Sequence, residues 1–508
     1  MSGLEESVAK GSGESGFLSR RAKPKQPSSM SPLRRNVLFN VLGLGAPLLV
    51  AVFTIPLLIE GLGTARFGLL TLVWAVVGYF GLFDLGLGRA LTRQLALEIG
   101  SGRLERVGPT LGTSGVIMLA LGVCGAALMA AASPWVPTLI VDVPDADELT
   151  RAVFAMALVL PAIVLTSGLR GVLEAEHAFG LVNLIRVPIG LFTFVGPLIV
   201  LWTVGPKLDW IAAILAAGRL LACVAHLAAI LHVYEGRLPR LRFDRNFVRP
   251  LLSTGGWMTA SNVISPLMGY ADRFVIGALV SAAAVAWYAT PHELVSKLWI
   301  VPGALTAVLF PTFAAQFARN PGGNTVLFRR SVAVLFAVLL PVTASLALFA
   351  NEGLSLWIDP EFASRSALLL QVFALGTLVN CLAHIPFTLL QSSGGARLTA
   401  MAHVVELPLF LVLLWYLTVE YGAIGTAGAW LLRIVGDTVL MFELCRRQQG
   451  WRMSSMLGRG QLLPAALTLV AFSSVWIPSV WARAAVGLIV LLASLLLLIQ
   501  FMGWHRRT

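Results

Sequence analysis

Apolar runs of about 20 residues recur along this chain, separated by short polar loops. They fall at 36–59, 68–90, 110–132, 150–171, 182–204, 210–232, 252–279, 287–313, 329–350, 364–391, 398–418, 424–445, 461–479 and 484–503. A helix needs about 20 apolar residues to cross the roughly 30 Å hydrocarbon core of a bilayer. In lipid a helix satisfies its own backbone polar groups, which an open strand cannot do. The pattern therefore predicts an all-α polytopic membrane protein with about 14 transmembrane helices.

Charge on the loops gives the orientation. Asp142, Asp145, Asp147 and Glu148 crowd one loop that has no basic residue. Arg237, Arg240, Arg242, Arg245 and Arg249 crowd another, about a hundred residues on. With alternate loops assigned to opposite sides, 27 of the 37 Lys and Arg fall on one side and five (Arg66, Arg151, Lys207, Arg365 and Arg483) on the other. Basic loops stay in the cytoplasm, so both termini are expected there.

Six spans return a chain to its starting side, and a seventh can begin a second half in the same orientation. The expected organisation is a disordered basic cytoplasmic tail (1–35), a six-helix lobe (36–232), a basic cytoplasmic linker (233–251), a second six-helix lobe (252–445), and two accessory helices with a short tail (446–508). Traces of a repeat are visible. Arg219 and Arg433 each lie about nine residues into the sixth and twelfth spans, and Asn40 and Pro47 in the first span have counterparts in Asn262 and Pro266.

Composition agrees. The chain is 57% hydrophobic and 12% charged, with a mean hydropathy of +0.83; a soluble domain carries about 25% charged residues. The net charge of +12 is then cytoplasmic loop charge facing anionic headgroups, and no nucleic-acid partner is expected. Cys124, Cys223, Cys381 and Cys445 stand singly in or at the ends of apolar runs, as packing residues. Enzyme motifs are lacking: there is no GxxxxGK[ST] and no GxSxG, and His292-Glu293 is followed by Ser296 where a zinc protease needs its second His. No enzyme activity, cofactor or metal is expected.

Charges at membrane depth carry the chemistry. Each costs about 2.5–3.5 kcal/mol at a helix centre on insertion scales, so they seldom face lipid. Asp272 and Arg273 on the seventh span match Glu293 and Lys297 on the eighth in depth, and Glu293 and Lys297 are spaced i,i+4. The four form either a neutral clamp between spans or a polar wall of a substrate or ion cavity. Arg433 and Asp437 repeat the spacing on the twelfth span, where Asp437 could satisfy Arg433 one turn away. Glu406 lies on the eleventh, between His403 and Pro408. Arg219 has no acid on its own helix and is expected to face water or an anion. Arg186 is expected to snorkel to the cytoplasmic surface, and Asp84 to cap a helix end near Arg89 or to serve transport. Gly422, Gly425 and Gly428 form one small face suited to close helix packing.

Two stretches resemble a known family. The first holds Asn36 and Asn40, Phe53-Thr54-Ile55-Pro56, Gly61-Leu62-Gly63, Phe67-Gly68, Tyr79, Asp84-Leu85-Gly86-Leu87 and Arg93-Gln94-Leu95-Ala96. The second holds Asp272-Arg273-Phe274-Val275-Ile276-Gly277, Trp287-Tyr288-Ala289, Glu293-Leu294-Val295 and Phe310-Pro311. They look like the polysaccharide-exporter, or O-antigen-flippase-like (Wzx-type), family of the multidrug/oligosaccharidyl-lipid/polysaccharide transporter superfamily. Val285-Ala286-Trp287-Tyr288 departs from the usual Gly-x-Tyr. The resemblance implies a bacterial inner-membrane flippase for undecaprenyl-diphosphate-linked oligosaccharide, serving O-antigen, capsule or exopolysaccharide. Its two lobes would enclose a cavity opening alternately to either side. Arg219, Arg273, Lys297 and Arg433 would bind the anionic substrate. Asp272, Glu293, Glu406, Asp437 and Asp84 would couple a cation, H+ or Na+, or form structural pairs. Membrane lipids, a polysaccharide polymerase and glycosyltransferases are the implied partners. A multidrug-and-toxin antiporter and a lipid II flippase share the fold and stand as alternatives. A membrane glycan polymerase or ligase would need a long periplasmic loop, which is absent.

Overall fold

The computed structural model describes residues 31–80, 87–236, 239–248, 256–320, 323–452 and 462–503. Among them the structure is helical, with no strand. Nine helices of the described residues are long and apolar enough to cross a membrane, and Pro47–Leu62, Thr64–Gly78 and Leu463–Trp476 are shorter apolar segments. The all-α, multi-pass reading of the sequence therefore holds. Residues 1–30, within the expected tail, lie outside the described residues, as does Asp84.

The chain divides into two compact units. The first holds α1 (Ser31–Leu62), α2 (Thr64–Phe80), α3 (Leu87–Gly100), α4 (Val107–Ala132), α5 (Ala146–Ala175), α6 (Phe179–Thr203) and α7 (Leu208–Val233). α5 is its central helix, packed against α2, α3, α4, α6 and α7. Asp145 starts α5 by accepting from the Glu148 backbone N–H at 3.0 Å, and that bond holds its carboxyl below the usual range. The buried Glu148 side chain binds Arg66 at 3.2 Å and the Leu208 backbone N–H, tying together the starts of α2, α5 and α7.

Two features of this unit were not evident from hydropathy. Residues 87–100 form a separate amphipathic helix, where the expected second span ran on to residue 90. Leu87, Leu91 and Leu95 are buried at i,i+4 spacing, while Arg89 and Arg93 are exposed. The stretch 240–244, part of the basic linker, lies against α4. Asp244 N–H donates to Thr113 Oγ1 at 2.9 Å, and a Cβ at Gly112 would stand 2.7 Å from the Arg242 backbone.

The second unit begins inside α8 (Gly256–Leu279), at Met268. It continues with α9 (Ala282–Ser296), α10 (Ile300–Arg319), α11 (Thr325–Leu348), α12 (Ala350–Trp357), α13 (Pro360–Ser392), α14 (Ala396–Gln449), α15 (Leu462–Ser473) and α16 (Val480–Gly503). α13 is central, packed by α9, α10, α11, α12 and α14. α5 and α13 are the fourth spans of the two expected six-span halves, so each unit is built round the same element. A 3-10 turn at Lys297–Trp299 separates α9 from α10, where Pro302 cannot donate to the carbonyl four residues back.

The expected spans 398–418 and 424–445 are the two limbs of α14, divided at Gly422. Gly422 has φ 60° and ψ −140°, a conformation open to glycine and strained for other residues. This corrects its expected place in a small packing face: Gly422 is where the chain reverses. The C-terminal pair α15 and α16 packs on α11, and Leu335, Leu339, Met441, Val490 and Leu497 share one core. Arg483 fastens α16 by donating to Leu348 O at 2.6 Å and to Glu352. Apolar side chains such as Leu128, Trp202, Val412 and Leu469 are exposed, as a surface facing lipid requires. All four cysteines are free.

Candidate functional site

The first unit contains a cavity of about 390 Å3 between α2, α5, α6 and α7. Arg170, Arg186, Arg219 and His226 line it with Ser167 and Thr193, and none of its lining residues is acidic. Thr193 Oγ1 donates to Ile189 O at 2.9 Å, which leaves its lone pairs to receive Arg219 Nη2 at 3.2 Å. Among the described residues no carboxylate pairs with Arg219. His226 is buried, with Nδ1 2.8 Å from Ala222 O. A carbonyl only accepts, so the proton sits on Nδ1 and Nε2 is the free ring nitrogen. Arg170 has Glu174 at 3.6 Å one turn on, outside the cavity lining. The walls thus offer cationic donors with no carboxylate among the lining residues, which suits a phosphate-rich ligand.

Arg219, expected to face water or an anion, lines this cavity. Arg186, expected to snorkel, lines the same cavity. Arg170, Thr193 and His226 were not anticipated. Arg219 and His226 are seven residues apart and so share a helical face, a signal that the sequence does carry.

In the second unit the charges fall into two groups. Asp272 is fully buried and accepts from Tyr288 OH and from the Arg273 backbone N–H, each at 2.7 Å. Arg273 Nη2 lies 3.4 Å from Glu293, whose other oxygen pairs with Lys297. Two acids and two bases close on one another between α8 and α9, the neutral-clamp arrangement. Arg273 is buried and engaged, and Lys297 is about one-third exposed.

The other group spans the limbs of α14. Arg433 Nη1 lies 3.3 Å from Glu406 and its guanidinium stands over Phe410 at 5.1 Å. Asp437, expected to satisfy Arg433, instead has His403 Nε2 at 3.8 Å. The reason is geometric: at Gly422 the limbs fold back, so groups on opposite limbs meet more closely than neighbours on one helix. Ligand atoms of His403, Glu406 and Asp437 lie within 4.8 Å of one another. Each can offer one ligand atom, but the Arg433 guanidinium 3.3 Å from Glu406 already places a cation at this group and works against a divalent metal.

Fold and site together define a multi-pass α-helical membrane protein with a cationic cavity in its first unit. A family model for polysaccharide biosynthesis proteins matches residues 33–317, and the chain belongs to that family. A Shigella flexneri protein named "Putative O-antigen transporter" is 29% identical over 419 residues, which is 81% of this chain and 97% of that one. Among solved structures, an inward-facing multidrug-resistance MATE transporter of the MOP superfamily is similar with a TM-score of 0.69 and 15% identity, over 86% of this chain and 98% of its own. The lipid II flippase MurJ is similar with a TM-score of 0.66 and 12% identity, over 93% and 99%. These likenesses show the fold. The relatives are transporters and a flippase, not enzymes.

Proposed function

We propose that the chain is a flippase that moves undecaprenyl-diphosphate-linked oligosaccharide across a bacterial inner membrane by alternating access, for surface polysaccharide synthesis. The observation that carries this reading is the acid-free cavity at Arg219. A diphosphate needs planar, multidentate cationic donors, and a cavity of about 390 Å3 falls within the usual range for small-ligand sites, about 300–1,000 Å3. The glycan beyond the first sugars must then lie outside it. The named Shigella relative and the polysaccharide family support the glycan, and the flippase fold supports the movement. A multidrug cation antiporter fits less well, because a cation would meet arginines at this site.

On this reading both termini are cytoplasmic, and the cavity lies between the inner ends of α5–α7 and the middle of the bilayer. Glycosyltransferases supply the substrate on the cytoplasmic face, and a polymerase consumes it outside. Arg433, Arg273 and Lys297 are secondary contacts, since each already has a carboxylate partner. The test is reconstitution of the full chain in liposomes with a fluorescent lipid-diphosphate glycan. Protein-dependent loss of inner-leaflet probe supports the proposal, and transfer no faster than in empty liposomes refutes it.

A further inference from the structure

We infer that His226 is the residue of the first-unit cavity that recognises the sugar carried on the diphosphate, its Nε2 accepting a hydrogen bond from a hydroxyl or amide N–H of the first ring. This rests on the diphosphate reading of the cavity above and deepens it, by naming the part of the ligand that each level of the cavity takes.

The cavity has two levels. α6 and α7 pack on one another and are joined by a short turn at 204–207. Counted from that turn, Thr193 and Arg219 stand at one depth, and the 3.2 Å bond between them fixes the register. Arg186 and His226 each lie seven residues further from the turn, about 10 Å at the rise of an α-helix. Arg170, close to the end of α5 at Ala175, joins this outer level. Arg170 and Arg186 are exposed whereas Arg219 is half-buried, so the outer level is the mouth.

Donors and acceptors differ between the levels. The inner one offers the N–H groups of Arg219, and Thr193 already directs its hydroxyl proton to Ile189 O. A diphosphate esterified at both ends carries only acceptor oxygens, so a guanidinium suits it. His226 is different. Its Nδ1–H donates to Ala222 O at 2.8 Å on its own helix, which sets the tautomer and leaves Nε2 as an acceptor. The side chain is buried, and a buried imidazolium would need an acid to pair with; none is among the described lining residues. A neutral ring nitrogen gains nothing from a phosphate oxygen and needs an O–H or N–H. In the ligand such donors begin at the first sugar. A sugar hydroxyl can give its proton to His226 Nε2 and take an N–H from Arg170 or Arg186 on its own oxygen, because it is both donor and acceptor. The order of the levels fits the order of the ligand: with the diphosphate at Arg219 and the first ring at the mouth, later sugars continue outwards.

The test measures the affinity of the purified full chain in nanodiscs for two short-chain isoprenyl diphosphates. One carries a single hexose on its terminal phosphate. The other carries a methyl ester there, so that it has the same charge and no sugar donor. The wild type should prefer the hexose ligand by about tenfold, the upper range for one hydrogen bond. In His226→Phe the ratio of the two affinities should fall close to one. His226→Gln, which keeps an acceptor oxygen, should retain part of the preference. His226→Leu takes the place of His226→Phe if the larger ring does not fold.

Equal affinity of the wild type for the two ligands overturns the inference and leaves the diphosphate reading standing. A variant that keeps the wild-type ratio, whether or not it weakens both ligands alike, overturns it too, since His226 would then act without touching the sugar. A wild type that binds neither ligand refutes the diphosphate reading of the cavity, and this assignment with it.

Discussion

Arg433 and Glu406 lie 27 residues apart on opposite limbs of α14, yet meet in an ion pair of 3.3 Å. The pair is largely buried, so removing one partner strands the other. Arg433→Met and Glu406→Gln should each lower the thermal stability of the purified protein, and the double variant should lose less than the sum. A coupling of about 1–3 kcal/mol in that cycle is expected for residues in direct contact. Strict additivity would mean that the two side chains do not interact.

Gly422 makes that meeting possible. Its backbone, at φ 60° and ψ −140°, strains any residue with a Cβ, at a cost of about 1–3 kcal/mol. Gly422→Ala should therefore lower the melting temperature. Gly428→Ala, in a helical stretch with open space at the new methyl, should not. Equal effects of the two would show that the reversal does not depend on glycine.

The accessory helix α16 is predicted to loosen in acid. The Arg483 guanidinium holds Glu352 below the usual carboxylate range. A carboxylate depressed in the folded state contributes stability above its unfolded value and loses it as pH falls through the folded value. Amide protection along α16, corrected for the intrinsic pH dependence of exchange, should accordingly fall on acidification below the ordinary carboxylate range. Glu352→Gln should show the lower protection at neutral pH already and little further loss in acid. The same acid response in wild type and variant would place the titrating group elsewhere.

Orientation is open to a direct check. A cysteine replacing Asp147 should react with an impermeant maleimide in intact cells, in a background lacking the four native cysteines. One replacing Arg242 should react only after permeabilisation. The opposite pattern would invert the topology and place the Arg219 cavity on the wrong side for a substrate made in the cytoplasm.

Much of this architecture was legible in the sequence, because hydrocarbon imposes a length and a composition on each span. The matched depths of Asp272, Arg273, Glu293 and Lys297 likewise brought these four together, as a clamp or as a polar wall, and the ion pairs between α8 and α9 join them. Residues 87–100 were missed because an amphipathic helix is not uniformly apolar. Arg433 was assigned to Asp437 because spacing along one helix is visible in a sequence, whereas a reversal at one glycine that brings Glu406 closer is not. The cavity was half legible. An arginine with no acid within a turn of it pointed to it; Asp209 begins the same helix but pairs with Arg151. Arg170 and Thr193, by contrast, come from neighbouring helices whose facing sides the sequence does not give.

The central claim is that the Arg219 cavity binds the diphosphate. The most direct measurement is the affinity of the purified chain for a short-chain lipid-diphosphate sugar, compared among wild type, Arg219→Lys and Arg219→Ala, with each variant shown to be folded. The account predicts at least a tenfold loss for Arg219→Ala, about 1.4 kcal/mol or more. Arg219→Lys should lie in between, because a point charge replaces a planar donor set. Inorganic pyrophosphate should compete in the wild type. An affinity for Arg219→Ala equal to that of the wild type would contradict the account.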